Sequence, residues 1–144
     1  GKGFTESAEL FGRLLRMFDA LQKKKMHVIL LSHVGIRTFN DPEREPYDRW
    51  EMSTHKKVSA MIREWVDFNL FANYEVSTRT SGQGFKETTR AVSYGKRKLF
   101  HKYTAAFDAK SRVDLGVAPL DLDWTAFMTA FKQSLKSKQG EKNV

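Results

Sequence analysis

The feature that most constrains the fold is a short apolar run, His27–His33 (HVILLSH), that follows an amphipathic helical pattern. Before the run, apolar side chains recur at three- and four-residue spacing, which predicts one helix with a single apolar stripe. That stripe consists of Leu10, Phe11, Leu14, Leu15, Phe18 and Leu21. The run itself is apolar at consecutive positions, so a strand formed by it would be buried on both faces. A helix followed by such a strand predicts an α/β fold with a mostly parallel sheet flanked by helices.

The rest of the chain predicts further helices and an antiparallel hairpin extension of this sheet. Gly35–Ser53 contains two prolines and five acids and predicts a long loop. The elements predicted after it are a helix capped by Ser53 or Thr54, a strand over Asp67–Val76, a flexible hairpin tip over Ser77–Thr89, two strand-like pieces hinged at Gly95, a strand over Phe107–Val113 and a carboxyl-terminal helix capped by Asp123. Aromatic residues at helical spacing, from Phe11 to Phe131, predict core positions. We expect one domain over residues 1–132 and a basic, flexible tail over residues 133–144.

Charge narrows the class of partner. The 144 residues include 25 Lys and Arg against 17 Asp and Glu, a formal charge of +8, which favours an anionic partner such as nucleic acid or a nucleotide.

The chain contains no cysteine, which excludes disulfides, iron–sulfur ligation and thiol catalysis. The four histidines show no metal-ligand spacing, so we expect no metal site. The longest apolar run, Val28–Leu31, is far shorter than the roughly 20 residues of a membrane span, and no signal-peptide pattern is present, so we expect a cytoplasmic protein with no membrane association.

The motif with which nucleotide hydrolases bind phosphate is absent from the chain. That motif, G-x-x-x-x-G-K-[ST], surrounds the phosphates with backbone amides and neutralises them with a lysine. The pair Gly1-Lys2 does not fit the motif, because it is followed by Gly3 rather than by Ser or Thr. The pair Gly95-Lys96 does not fit it either, because the first glycine of the motif would fall at position 90, which is Arg90. The apolar run ends in Ser32-His33 rather than in an acid that could hold Mg²⁺. By itself the chain should not hydrolyse ATP.

An ordered series of segments nevertheless resembles the carboxyl-terminal half of a RecA-type ATPase core. The resemblance is closest to the phage-type ATP-binding proteins of DNA recombination and single-strand annealing, and it covers roughly residues 3–127. Its segments are His27–His33, Asp41–Glu43, Glu45–Glu51, His55–Lys57, Trp65–Asn73 and Asp108–Arg112. In that family the P-loop and the magnesium-binding acid precede this region. The resemblance therefore implies that ATP and Mg²⁺ are bound mainly by residues outside this chain.

The resemblance also implies roles in ATP hydrolysis for particular residues. Ser32 and His33 stand where the family places a polar sensor of the γ-phosphate, and ligands of open α/β sheets bind beyond the carboxyl ends of strands. Lys110 and Arg112 stand where RecA-like filaments place a finger that reaches the ATP of the neighbouring subunit, a task that suits the planar fork of arginine. The alternatives are a hydrogen-bonded histidine at a strand end and solvated cations on an edge strand.

Several cations are candidate contacts to the phosphates of single-stranded DNA. The loop Gly35–Ser53 occupies the position of a family DNA-binding loop, although its acids also fit a self-packed loop. His55–Lys57 lie in a helix first turn, where the helix dipole disfavours cations and an anion would reverse the penalty. The candidates are Arg37, His55, Lys56, Lys57, Arg90, Lys96, Arg97, Lys98 and Lys102. A solvated basic face is the alternative for the later members of this set.

The resemblance therefore predicts part of a DNA-dependent ATPase of phage recombination or annealing. The chain would contribute the γ-phosphate sensor, a DNA-contacting loop and the Lys/Arg finger. It would assemble either with copies of itself, into a ring or filament, or with the missing P-loop half. One alternative is a non-catalytic basic module that binds nucleic acid without a nucleotide. Another is a truncated product that self-associates through an exposed sheet edge.

Overall fold

A computed structural model describes residues 2–81 and 88–140, which fall into two units. Unit 1 comprises Gly1–Asp67 and Thr104–Asp108, and unit 2 comprises Phe68–Tyr103 and Ala109–Val144. Their secondary structure is mixed α/β, as the sequence predicts. Among the described strands every paired ladder is antiparallel, and the single parallel pairing is an isolated bridge between Trp50 and Phe107.

Two helices pack together in unit 1. The predicted amphipathic stripe forms α1 (Lys2–Lys23), and the second predicted helix forms α2 (Lys56–Trp65). Their core contains Leu15, Val58 and Ile62, each less than a tenth exposed. The indole Nε1 of Trp65 donates a hydrogen bond of 2.7 Å to Asp19 Oδ1, and this bond ties the end of α2 to α1.

The segment between His33 and Ser53 is a β-hairpin, so the prediction of a long irregular loop is wrong. Strand β1 (Val34–Phe39) pairs with β2 (Tyr47–Met52), from Val34 opposite Met52 to Phe39 opposite Tyr47. Both prolines lie in the turn of residues 40–46, where they interrupt no ladder hydrogen bond. Valine, isoleucine and threonine alternate along β1, and this β-branched pattern favours a strand.

The run His27–His33 forms no strand within unit 1, which contradicts the prediction of a buried one. Residues 26–33 have no regular secondary structure, and Ile29 and Leu31 are 66% and 94% exposed. A strand requires a neighbour for its amides and carbonyls, and no strand among residues 2–81 and 88–140 pairs with this segment.

Unit 2 is built on a long antiparallel hairpin. Its elements are β3 (Phe68–Asn69), β4 (Phe71–Ser81), β5 (Thr88–Phe100), β6 (Lys110–Ser111), β7 (Leu120–Asp121) and α3 (Trp124–Gly140). Strands β4, β5 and β7 form one sheet, and β3 pairs with β6. The predicted hairpin is confirmed, while part of its predicted tip, residues 82–87, lies outside the described residues. The strand predicted over Phe107–Val113 is reduced to β6 and the bridge at Phe107.

The predicted hinge at Gly95 is a β-bulge. Tyr74 lies opposite Arg97 and Val76 lies opposite Ser93, so β5 carries more residues than β4 across this interval. Gly95 has a φ of +72°, a backbone conformation that residues with a Cβ adopt only at a cost in steric strain. The glycine therefore allows β5 to accommodate the extra residues without breaking the hairpin.

The core of unit 2 is aromatic and depends on α3. The Asp123 carboxylate accepts a hydrogen bond of 2.9 Å from Ala126 N, which confirms the predicted cap. The Phe68 ring meets the rings of Phe127 and Phe131 edge to face, with centroids 5.3 and 5.6 Å away. Trp124, predicted as a core residue, is instead 56% exposed.

Helix α3 continues well beyond the position at which the sequence predicts a tail. It runs to Gly140, and Ser134, within the predicted tail, is buried.

No helix in the described part of the chain has both the length and the apolarity that a bilayer crossing demands.

Candidate functional site

The predicted nucleic-acid contacts of unit 1 meet at the start of α2. His55 is the N-cap, and its Nδ1 accepts a hydrogen bond of 3.4 Å from Lys57 N. Arg37 on β1 reaches the same place, because its Nη2 donates a hydrogen bond of 3.2 Å to Thr54 O. Lys56 and Lys57 are exposed. The structure therefore brings together four of the predicted nucleic-acid contacts, which we call the α2 cluster: Arg37, His55, Lys56 and Lys57.

Electrostatics make the α2 cluster receptive to an anion. The first turn of α2 contains no acid, and its partial positive charge disfavours the cations beside it by about 0.3–1 kcal/mol. An anion at this end would interact favourably with the backbone amides and with the cations. The predicted caps Ser53 and Thr54 lie just outside the helix, and Thr54 Oγ1 is 2.6 Å from Ser59 Oγ. The cap is therefore the imidazole of His55, one residue later than the sequence suggests.

The proposed sensor residues lie at the open end of the β1–β2 hairpin. Ser32 and His33 are both exposed and precede β1 directly. Ser32 Oγ donates to His33 O at 2.9 Å, and the same carbonyl accepts a hydrogen bond of 2.8 Å from Ser53 N. The backbone of His33 is thereby fixed, while its side chain faces solvent.

The predicted cations of unit 2 lie on and after β5. Lys96, Arg97 and Lys102 are exposed. Arg90 lies opposite Arg79 in the β4–β5 ladder, and its side chain lies outside the described part of the structure. Lys98 differs from the others because its Nζ forms an ion pair of 2.7 Å with Asp121 Oδ1 on β7. We therefore expect Lys98 to contribute least to any nucleic-acid contact.

Replacing Lys98 by methionine is expected to raise the pKa of Asp121 toward its ordinary value of 3.8. The hydrogen bond and charge of Lys98 lower that pKa, and the hydrogen bond from Asp121 raises the pKa of Lys98 above 10.5. Asp121 therefore stabilises the fold above pH 3.8 and ceases to do so as pH falls through its lowered pKa. Lys98 stabilises it below pH 10.5 and ceases to do so as pH rises through its raised pKa.

The measurement is a ¹³C NMR titration of the Asp121 carboxyl. Lys96→Met is the matched control, because the charge of Lys96 makes only the smaller contribution to the same pKa. An Asp121 midpoint that is unchanged by Lys98→Met would contradict the ion pair.

The two proposed finger residues do not share a strand. Lys110 lies in β6 opposite Asn69 and is half-buried, whereas β6 ends at Ser111 and Arg112 is an exposed residue of the following turn. A strand over the whole predicted range, Phe107–Val113, would have projected both side chains from one face, because the two residues are two apart. Arg112 instead lines a cleft together with Lys102 and Lys138.

Sequence reasoning missed Lys138, because it assigned residues 133–144 to a tail. The signal was present: apolar side chains continue at helical spacing from Trp124 to Leu135, and a helix that reaches so far continues readily through further lysine and glutamine. Within residues 2–81 and 88–140 no group of three or more histidines and acids is placed to hold a metal ion.

Comparison with known proteins gives one match. Residues 1–113 match a family model described as AAA domain, so the matched region includes all of α1, the β1–β2 hairpin, α2, both strands of the long hairpin and Arg112. No curated protein and no solved structure matches the chain.

Proposed function

Because the chain belongs to the AAA domain family of nucleotide-binding ATPases, we propose that it is part of a DNA-dependent ATPase of phage recombination or single-strand annealing. The observation that carries the proposal is the α2 cluster, in which Arg37 and His55–Lys57 converge at one helix start. Cations gathered at a helix N-terminus suit the phosphates of a nucleic acid.

The hydrolytic centre in this proposal is shared between chain segments and between subunits. The P-loop and the magnesium-binding acid come from a half that the resemblance places before this region, and they hold ATP and Mg²⁺. His33, with Ser32, senses whether the γ-phosphate is present. The fixed backbone of His33 leads directly into β1 and transmits the presence or loss of the γ-phosphate to that strand. Arg112, assisted by Lys110, enters the site of the neighbouring subunit in a ring or filament. The arginine stabilises the charge that develops on the transferred phosphate.

The exposed run His27–His33 supports the RecA-like sheet of this scheme. Ile29 and Leu31 face solvent in unit 1 and Val28 and Leu30 are half-buried, although the sequence of the run is typical of a strand buried on both faces. We propose that the run pairs as a parallel strand with the strand that carries the P-loop. Pairing would bury Ile29 and Leu31 and bring Ser32 and His33 to the edge of the sheet where nucleotides bind.

Amide hydrogen exchange tests that pairing. The amides of residues 28–31 are expected to exchange nearly unprotected in this chain and to slow by at least about a hundredfold when the P-loop half is added. The amide of Ile62 serves as the internal reference, since it lies in the interior of α2, where amides are hydrogen-bonded within the helix. Restored ATPase activity without slower exchange at residues 28–31 would refute the parallel pairing.

The DNA-binding part of the proposal is tested by fluorescence anisotropy with a labelled single-stranded oligonucleotide. Lys56→Gln/Lys57→Gln is expected to weaken binding and to reduce the slope of log affinity against log salt by about 1.4, or about 0.7 for each lost phosphate contact. The matched control is Lys23→Gln/Lys24→Gln, which removes the same charge from the end of α1. Equal losses in the two variants would show a non-specific charge effect and would contradict an interface at α2.

A further inference from the structure

A cleft in unit 2 brings together three cations that are distant in sequence. It is an open cleft of about 380 Å³ between the end of β5, the turn after β6 and the last part of α3. Lys102, Arg112 and Lys138 line it, and Asp114 is the one acid among its lining residues. Three cations and one acid give these walls a net charge of +2. Each of the three cations is exposed, so their charged groups can reach a ligand in the cleft.

The cleft has a fixed floor and a fixed turn. His101 and Leu115 in its lining are only 3% and 5% exposed. His101 Nε2 lies 3.1 Å from Ala118 O, and because a carbonyl only accepts, Nε2 carries the proton. In the turn, Val113 N donates to Ser111 Oγ at 3.3 Å.

Asp114 is partly engaged within the same turn. Its Oδ1 accepts a hydrogen bond of 3.0 Å from Gly116 N, so one oxygen of the only acid is occupied by the backbone. This turn is possible because Gly116 has a φ of +97°. The acid is therefore held by the turn, while the three cations extend from separate elements.

We propose that this cleft is a phosphate-binding site, in which Lys102 and Lys138 bind the phosphate together with Arg112. Its volume lies within the range of about 300–1,000 Å³ that is typical of small-molecule sites. Like charges gathered in one cleft repel one another, and an anion between them removes that repulsion. A guanidinium fork with two ammonium groups fits the several oxygens of a phosphate better than it fits a carboxylate.

The inference does not depend on the proposed ATPase. A phosphate in the cleft could belong to a nucleotide or to the backbone of a single strand, and both sources present the same oxygens to the same cations. If the ATPase proposal fails, the cleft can still bind phosphate. If the cleft fails, Arg112 can still act as a finger without Lys102 and Lys138.

The first test uses inorganic pyrophosphate and the whole chain, observed by ¹H–¹⁵N NMR. We expect saturable shifts concentrated on residues 101–102, 111–115 and 138. Lys102→Gln/Lys138→Gln should lower the pyrophosphate affinity on the order of tenfold, since each exposed ion pair that is lost contributes only modestly. Arg112 remains in this variant, so a finger acting alone would leave the affinity unchanged.

The control variant is Lys132→Gln/Lys136→Gln, which removes the same charge from exposed positions of the same helix. Shifts centred elsewhere, for example on the α2 cluster, would overturn the proposal. So would an equal loss of affinity in the two double variants, because simple charge reduction would then account for the result. Native-like NMR spectra of both variants exclude unfolding as the cause.

A second pair of titrations identifies the source of the phosphate. If a short oligothymidylate shifts the same residues and pyrophosphate competes with it, the cleft binds the nucleic-acid backbone. If ATP shifts them and the oligonucleotide does not, the cleft receives a nucleotide. Both results support a phosphate site, and a failure of both ligands to reach these residues contradicts it.

Discussion

Replacing Arg112 by alanine is expected to lower ATP hydrolysis by the assembled ATPase about a thousandfold, the low end of the range for arginine fingers. The arginine would stabilise charge that is present only in the transition state, so the loss should appear in kcat with little change in KM. The measurement is steady-state hydrolysis by this chain assembled with the P-loop half, in the presence of single-stranded DNA.

Two controls separate a finger from a general loss of positive charge. Arg13→Ala removes an exposed arginine of α1 that has no role in the proposed site, and it should leave kcat within about twofold. Arg112→Lys keeps the charge but loses the planar fork, and it should recover only part of the activity.

A mixing experiment tests whether Arg112 acts in the neighbouring subunit. Arg112→Ala subunits are combined with subunits whose P-loop lysine has been replaced. A neighbour-acting finger predicts that the mixture is more active than either variant, because some interfaces then pair an intact P-loop with an intact Arg112. No gain on mixing, with both variants still assembled, would show that Arg112 does not act across subunits.

Replacing Phe127 by alanine is expected to destabilise unit 2 by about 3–5 kcal/mol. Phe127 is 9% exposed and packs edge to face on Phe68, and its ring is also 5.6 Å from that of Trp124. Removing it leaves a cavity under α3 and deprives Phe68 of one of its two aromatic neighbours on that helix. Urea unfolding followed by far-UV circular dichroism measures the loss.

Trp124→Ala is the comparison for this prediction. The indole belongs to the same helix but is 56% exposed, so its removal should cost much less than that of Phe127 despite its larger size. If the tryptophan variant lost as much stability as Phe127→Ala, the core would have to be centred on the first turn of α3 rather than on Phe68.

The helices could be predicted from the sequence because their signals are local. Apolar spacing in α1 and the cap at Asp123 depend on residues within one or two turns, and both were correct. The run His27–His33 shows the limit of the same reasoning. Its composition indicates a strand, but a strand exists only where another one pairs with it, and unit 1 provides none among its described residues.

The residues of the candidate site also fall into two classes, those that local sequence signals indicate and those whose placement depends on pairing elsewhere in the chain. Residue types and spacing indicated His55–Lys57 and Arg112, but the approach of Arg37 to Thr54 depends on the β1–β2 hairpin, which sequence reasoning took for a loop. The acids and prolines of that segment suggested a loop, although the prolines lie only in the turn. The basic composition of residues 133–144 predicts a tail, whereas the apolar spacing that continues to Leu135 favours the longer helix that places Lys138 in the cleft.

The hydrogen bond from Ser53 N to His33 O determines where unit 1 can tolerate a change in chain length. That bond joins the two ends of the β1–β2 hairpin, and a second one, of 2.8 Å from Trp50 N to Ala106 O, fixes β2 along its length. The tip at Pro42–Arg44 is exposed and lies beyond both. Doubling the length of such a loop costs only about 0.6 kcal/mol. A peptide tag, or an inserted peptide that carries a fluorophore for single-molecule work, should therefore be placed at the tip. There it would only lengthen a loop whose two ends are already joined by hydrogen bonds.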